Sequence, residues 1–248
     1  MQKGPKAALA SAGLFVLVVT GLIANQYRKN HEQGPSRKDP YADVKVDPDN
    51  LVFLKKQRPD SIANERDLIG KTVWVSAGGQ LDYYLDKGKH VDYAHPVGTL
   101  LGATPLLIKD VFEQKAPSTG SAVARIPAGQ KHVLLAFTMP NSADPKTEYA
   151  TPVGDFDNGL YTLLNDEIFF YDDPHQLYKH WSPDVWAHID KHEAVPGMSE
   201  NQAMMALGQV MKPSSDNTGD RDVTYDNNGH PVEIEFVKNR AVKVTPEK

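Results

Sequence analysis

Apolar and polar positions divide the chain into three regimes. An apolar run from Ala7 to Ala24 without a charged residue comes first. As a helix it would extend roughly 27 Å, close to the hydrocarbon thickness of a bilayer. A long polar stretch follows, and short β-type runs then give way, after Asp173, to helical periodicity. The opening run exceeds the ~7–15 apolar residues of a cleaved signal peptide. A cut after Ala24 would also place Leu22 where a small residue belongs. Residues 7–25 therefore read as an uncleaved transmembrane signal anchor behind a cytoplasmic tail at 1–6, with a cleaved signal peptide as the alternative. Lys3 and Lys6 before the run nearly balance Arg28, Lys29, Arg37 and Lys38 after it. The short leading tail favours a cytoplasmic N-terminus, a single pass through the inner membrane and a body in the periplasm.

Residues 26–66 read as a linker, polar and interrupted by Pro and Gly. Within it Leu51–Leu54 is an apolar patch suited to docking on the body or on a membrane surface, and a short helix is expected over about 59–66. From Leu68 onward the runs Lys71–Val75, Leu106–Phe112, Ala122–Ile126, His132–Phe137, Leu160–Leu164 and Glu167–Tyr171 are bounded by turn signals. Asn165-Asp166 separates the last two at hairpin spacing. With no helical period between them, residues 67–172 predict a small all-β domain, an SH3-like barrel, with the continuously apolar Val133–Phe137 at its centre.

The last part, 173–248, is predicted as an α+β module. Ser182-Pro183 is an N-cap followed by Pro at the first helical position, opening a helix to about Glu193. Ser199 and Gln202 form a capping box for a second helix, whose apolar face includes Ala203, Leu207 and Val210; Gly208 and Pro213 end it. Arg221–Asp226, Val232–Val237 and Ala241–Val244 then read as three strands, Asn228-Gly229 marking the first turn. Val232, Ile234 and Phe236 alternate with Glu233 and Glu235, which is a half-buried strand. The overall class is α+β: a transmembrane helix, a β domain and an αα-βββ module.

Gly197, Met198, Ser199, Gln202, Leu207, Gly208, Tyr225 and Phe236 carry a resemblance. Over about residues 182–246 the run GMSENQAMMALGQ followed by a meander resembles the SmpA/OmlA (BamE-type) family of outer-membrane lipoproteins. The resemblance implies a fold for the last quarter of the chain and a bacterial cell-envelope setting. Members are usually lipid-anchored through a Cys, which is absent here, and the Pro that follows Leu-Gly in the family is displaced to Pro213.

Composition narrows the functions. Without Cys there is no disulfide, thiolate nucleophile or thiolate metal site. Residues 1–38 carry Lys3, Lys6, Arg28, Lys29, Arg37 and Lys38 against one acid, Glu32, so the body is more acidic than the net charge of −5 implies. Nucleic acid is accordingly not expected as a partner. His180, Asp184, His188 and His192 recur every four residues. His188 and His192 on one helical face have the spacing at which two imidazoles share a metal, with His132 or His95 as a conceivable third ligand. A solvated, pH-sensitive polar stripe is the competing interpretation. Trp181 and Trp186 are either a partner-binding aromatic platform or core anchors. No nucleophile motif, phosphate loop or EF-hand spacing is present, so no catalytic residue and no cofactor is predicted. The expected function is non-enzymatic protein binding or scaffolding in envelope assembly. The rivals are an accessory subunit of a larger membrane complex and a metal-binding or hydrolytic protein using the His188/His192 face.

Overall fold

The computed structural model describes residues 20–29, 46–78, 81–118 and 126–246. The chain divides into two compact units, Met1–Asp47 and Pro48–Lys248. In the first, residues 20–29 form helix α1. The expected membrane segment falls on residues 7–25, of which 7–19 lie outside the described residues. Among the described residues no helix is long and apolar enough to cross a membrane. The described residues of α1 extend about 15 Å, half a hydrocarbon core, and they include Arg28 and Lys29. The transmembrane helix, the signal anchor and the single-pass inner-membrane placement with a periplasmic body are corrected accordingly.

The second unit opens with a 3-10 turn at Pro48–Leu51, an extended strap and helix α2 (Ile62–Arg66), which Ser61 caps. It continues into an antiparallel sheet made of β1 (Thr72–Val75), β2 (Asp82–Leu85), β3 (Gly98–Thr99), β4 (Pro105–Lys115), β5 (Lys131–Thr138), β6 (Tyr149–Asp157), β7 (Leu160–Leu163) and β8 (Phe169–Phe170). The order is β3-β2-β6-β5-β4-β1-β8, with β7 paired to β6. Strand β5 is buried at every position after Lys131 and lies between β4 and β6, as a continuous apolar run should. The expected strand at Ala122–Ile126 falls mostly outside the described residues.

The sheet curls into a half-barrel rather than the SH3-like closed barrel predicted. Its end strands β3 and β8 are two residues long and pair only with β2 and β1. Asn165-Asp166 is not a hairpin turn; it starts a single helical turn, α3 (Asn165–Ile168), immediately before β8.

Three further helices follow: α4 (Pro174–Leu177), α5 (Pro183–Ile189) and α6 (Glu200–Leu207). Ser182 and Ser199 cap α5 and α6, the latter through a complete capping box with Gln202. The strands β9 (Val210–Pro213), β10 (Asp222–Tyr225), β11 (Val232–Val237) and β12 (Arg240–Pro246) form a meander in the order β12-β11-β10-β9. The predicted α+β class with an αα-βββ module is thus corrected: the described chain is mostly β, and this C-terminal sheet has four strands. Val210 belongs to a strand rather than to the helix face. Gly208, at φ 91°, turns the chain out of α6, and Val210–Pro213 pairs with β10.

Two apolar clusters hold this unit. One fills the curled sheet around Val75, Leu106, Leu134, Phe137 and Ile168. The other joins α5, α6 and the meander around Trp181, Trp186, Ile189, Leu207 and Phe236, and it takes in Phe170 and Ala103 from the half-barrel side. The approach is close at Gly102, where an added Cβ would collide with the Met205 carbonyl oxygen of α6.

Candidate functional site

The most exposed large apolar side chain of the described residues is Phe53, at 87%. It lies in the strap Leu51–Leu54, where Leu51 and Leu54 are also exposed. Four consecutive apolar residues would ordinarily fold inward. Here the chain on both sides is fixed by polar contacts; Leu51, Phe53 and Leu54 are left outward and Val52 is half-buried.

The upstream anchor is Asp49, whose side chain is only 8% exposed. His180 Nε2 and Trp181 Nε1 donate to its Oδ1 at 2.6 and 2.7 Å, and Asn201 Nδ2 donates to its Oδ2 at 3.2 Å. The downstream anchor is Asp166 of α3. The backbone N–H groups of Gln57 and Arg58 donate to its two carboxylate oxygens at 2.8 and 2.9 Å, and Lys56 Nζ donates to its carbonyl. Tyr171 Oη also donates to Asp166 Oδ1, at 2.9 Å. Burial opposes ionisation of Asp166, but the Gln57 and Arg58 amides, the Tyr171 hydroxyl and Lys56 outweigh it and hold the carboxyl below its usual range.

A cleft of about 650 Å³ opens where the half-barrel meets the C-terminal helices. Trp74 and the Met139–Ser142 loop line one side, and Asp173, His175, Asp190 and His192 line the other. Asp173 caps α4 by accepting the His175 amide at 2.9 Å, and its carboxylate also meets His175 Nδ1 at 3.0 Å. His175 Nε2 lies 3.2 Å from Asp190, and the ring stacks on Trp186 at 4.0 Å. Both imidazole nitrogens are therefore engaged by carboxylates, and neither is placed to take a proton from a ligand. The Ser142 hydroxyl donates to the Met139 carbonyl rather than facing a base. Burial pushes the His192 imidazole below the usual histidine range, against the Ala206 backbone contact and Asp190, and its Nδ1 is buried without a hydrogen-bond partner. Among the described residues no nucleophile–base pair is assembled here.

The residues singled out by sequence are placed as follows. His188 and His192 do not share a helical face, because α5 stops at Ile189 and a turn carries His192 round with φ 58°. His188 Nδ1 faces Glu193 at 3.3 Å. His95 pairs with Asp92, and His132 is buried between the Tyr93 hydroxyl and the Pro127 carbonyl. Among the described residues no group of three His, Cys, Asp or Glu is arranged to hold a metal ion. Trp181 and Trp186 are 6% and 7% exposed, with ring centroids 5.2 Å apart, and Trp181 stacks on Tyr178. They are core residues, and the exposed surface they help to create is the strap pinned through the Trp181 indole N–H. The residues that sequence reasoning missed are Asp49, Asp166 and His175. For His175 a signal existed, since Asp173-Pro174 is a helix start that aims the next residue back at its own cap.

The chain matches no protein-family profile, no curated protein and no solved structure.

Proposed function

We propose that the chain is a non-enzymatic protein-binding module with a scaffolding role, and that the strap Leu51–Leu54 is its contact surface. The exposure of Phe53 between two hydrogen-bonded anchors carries this reading. A partner would meet apolar side chains on backbone that is already ordered, so the ordering cost that weakens flexible binders is largely removed. Clustered exposed apolar residues mark interaction surfaces, and aromatic anchors dominate their energetics. The engaged polar groups of the cleft favour binding over catalysis. The relation to the SmpA/OmlA family remains a proposal resting on the motif at 197–208.

A photo-crosslinking amino acid in place of Phe53, compared in cells with one in place of the exposed Leu160, tests the reading. A discrete adduct should form from position 53 and not from 160. Adducts that are absent, or the same from both positions, refute it. Once a partner is in hand, Phe53→Asp should weaken its binding by at least about tenfold, as loss of a hot-spot aromatic does. The same change should shift unfolding free energy by no more than about 0.5 kcal/mol, because the side chain is on the surface.

A further inference from the structure

Helix α2 is attached to the half-barrel through a carboxyl group in an unusual setting. Glu65 is 0% exposed, and Asn165 of α3, its partner, is also 0% exposed. Asn165 Nδ2 donates to Glu65 Oε2 at 2.8 Å. The two remaining polar atoms of the pair, Glu65 Oε1 and Asn165 Oδ1, are both buried and neither has a partner. Both are acceptors when the carboxyl is ionised. One proton on Oε1 supplies the donor that both lack and closes a two-bond ring between the acid and the amide.

We propose that Glu65 and Asn165 form a pH-operated clasp. In the neutral acid, Glu65 Oε1–H donates to Asn165 Oδ1 while Oε2 accepts from Nδ2. Loss of that proton to water leaves two opposed acceptors and a buried charge, and loosens α2 together with the neighbouring strap anchor on Asp166.

The surroundings favour this behaviour. The charge acting on Glu65 is that of Asp166, which has the same sign, and the Tyr171 hydroxyl on the same side is committed to Asp166. Arg66, next on α2, acts instead on Asp110 of β4 and Tyr161 of β7; Asp110 is also paired with Lys89. Burial accordingly raises the Glu65 carboxyl from 4.5 to about 7, against the opposing Asn165 hydrogen bond and with a smaller contribution from Asp166. A raised acid keeps its proton in the folded state after the unfolded chain has lost it. The clasp's contribution is thus complete below pH 4.5 and is lost as pH rises through about 7. It operates whether or not the strap has a partner.

The test uses the full chain. Carbon-detected NMR should show the Glu65 carboxyl titrating with a midpoint about 7. Amide hydrogen exchange at Gln57, Arg58 and α2 is compared with that of Glu65→Gln at each pH. The Gln amide can make both bonds of the ring at any pH, and the comparison cancels intrinsic exchange rates. At about pH 5.5 the two proteins should be protected alike, and at about pH 8.5 the wild type should exchange roughly tenfold or more faster, as the linkage of one proton requires. Titration of Glu65 in the ordinary carboxylate range, or the same pH-dependent loosening in Glu65→Gln, would overturn the proposal. The wild-type titration decides it even if the variant fails to fold.

Discussion

Replacing Glu200 by alanine is expected to lower the unfolding free energy by about 3–5 kcal/mol, the usual cost of breaking a buried ion pair from one side. Glu200 stands in the first turn of α6 and is 8% exposed on its side chain, against 13% for Arg221. Arg221 donates to Glu200 Oε1 through both Nε and Nη2, and the Gly219 amide donates to Oε2 at 2.8 Å. The carboxylate therefore ties the start of α6 to the loop that leads into β10. Its removal leaves a half-buried guanidinium with its Nη1 contact to the Ser215 carbonyl, and an orphaned Gly219 amide. Urea unfolding of Glu200→Ala, Arg221→Ala and the double variant measures the pair. The double variant should cost less than the sum of the two single variants, because no unpaired charge remains. A loss below about 1 kcal/mol for Glu200→Ala would show the pair to be solvent-screened like a surface bridge.

Asp49→Ala is the second large effect, expected at about 2–3 kcal/mol, the scale of losing hydrogen bonds to a charged acceptor. Trp181 Nε1 is costlier to leave behind than His180 or Asn201, because the indole is 6% exposed and water cannot easily replace the carboxylate. The variant also has a local signature. Losing the upstream anchor should raise amide exchange in residues 48–54 while leaving the half-barrel core unchanged. Asp49→Asn keeps an acceptor for the indole and should recover much of the stability. Equal losses for Asn and Ala would mean that charge, not the hydrogen bond, is what Asp49 provides.

Local chemistry was legible in the sequence; the site was not. The caps at Ser182 and Ser199 and the alternation of β11 depend on residues a few positions apart, and they can be read directly. Strand β6 was missed because it contains Pro152 and Gly154, both strand breakers. Pro152 is tolerated opposite Leu134 beside a register shift, and Gly154 is required by β7, where a Cβ would meet the Thr162 carbonyl oxygen. The stretch after Pro48 read as a solvated linker because its anchors are remote. Asp49 bonds His180 across 131 positions and Gln57 bonds Asp166 across 109. The apolar patch at Leu51–Leu54 was visible, whereas its presentation to solvent depends entirely on those distant partners. The His188/His192 pairing failed for a simple reason: a spacing of four residues brings side chains together only while the helix continues, and α5 ends between them.

Strand β8 contains just two residues, and they point to opposite faces. Phe169 enters the cluster inside the half-barrel, while Phe170 enters the one shared with the C-terminal helices. Neither cluster can lose this strand without exposing an aromatic ring that belongs to the other. The consequence is thermodynamic cooperativity: residues 48–248 should melt in one calorimetric transition, with equal van't Hoff and calorimetric enthalpies. Phe170→Ala, placed at that junction, is the change that would let the two clusters melt apart.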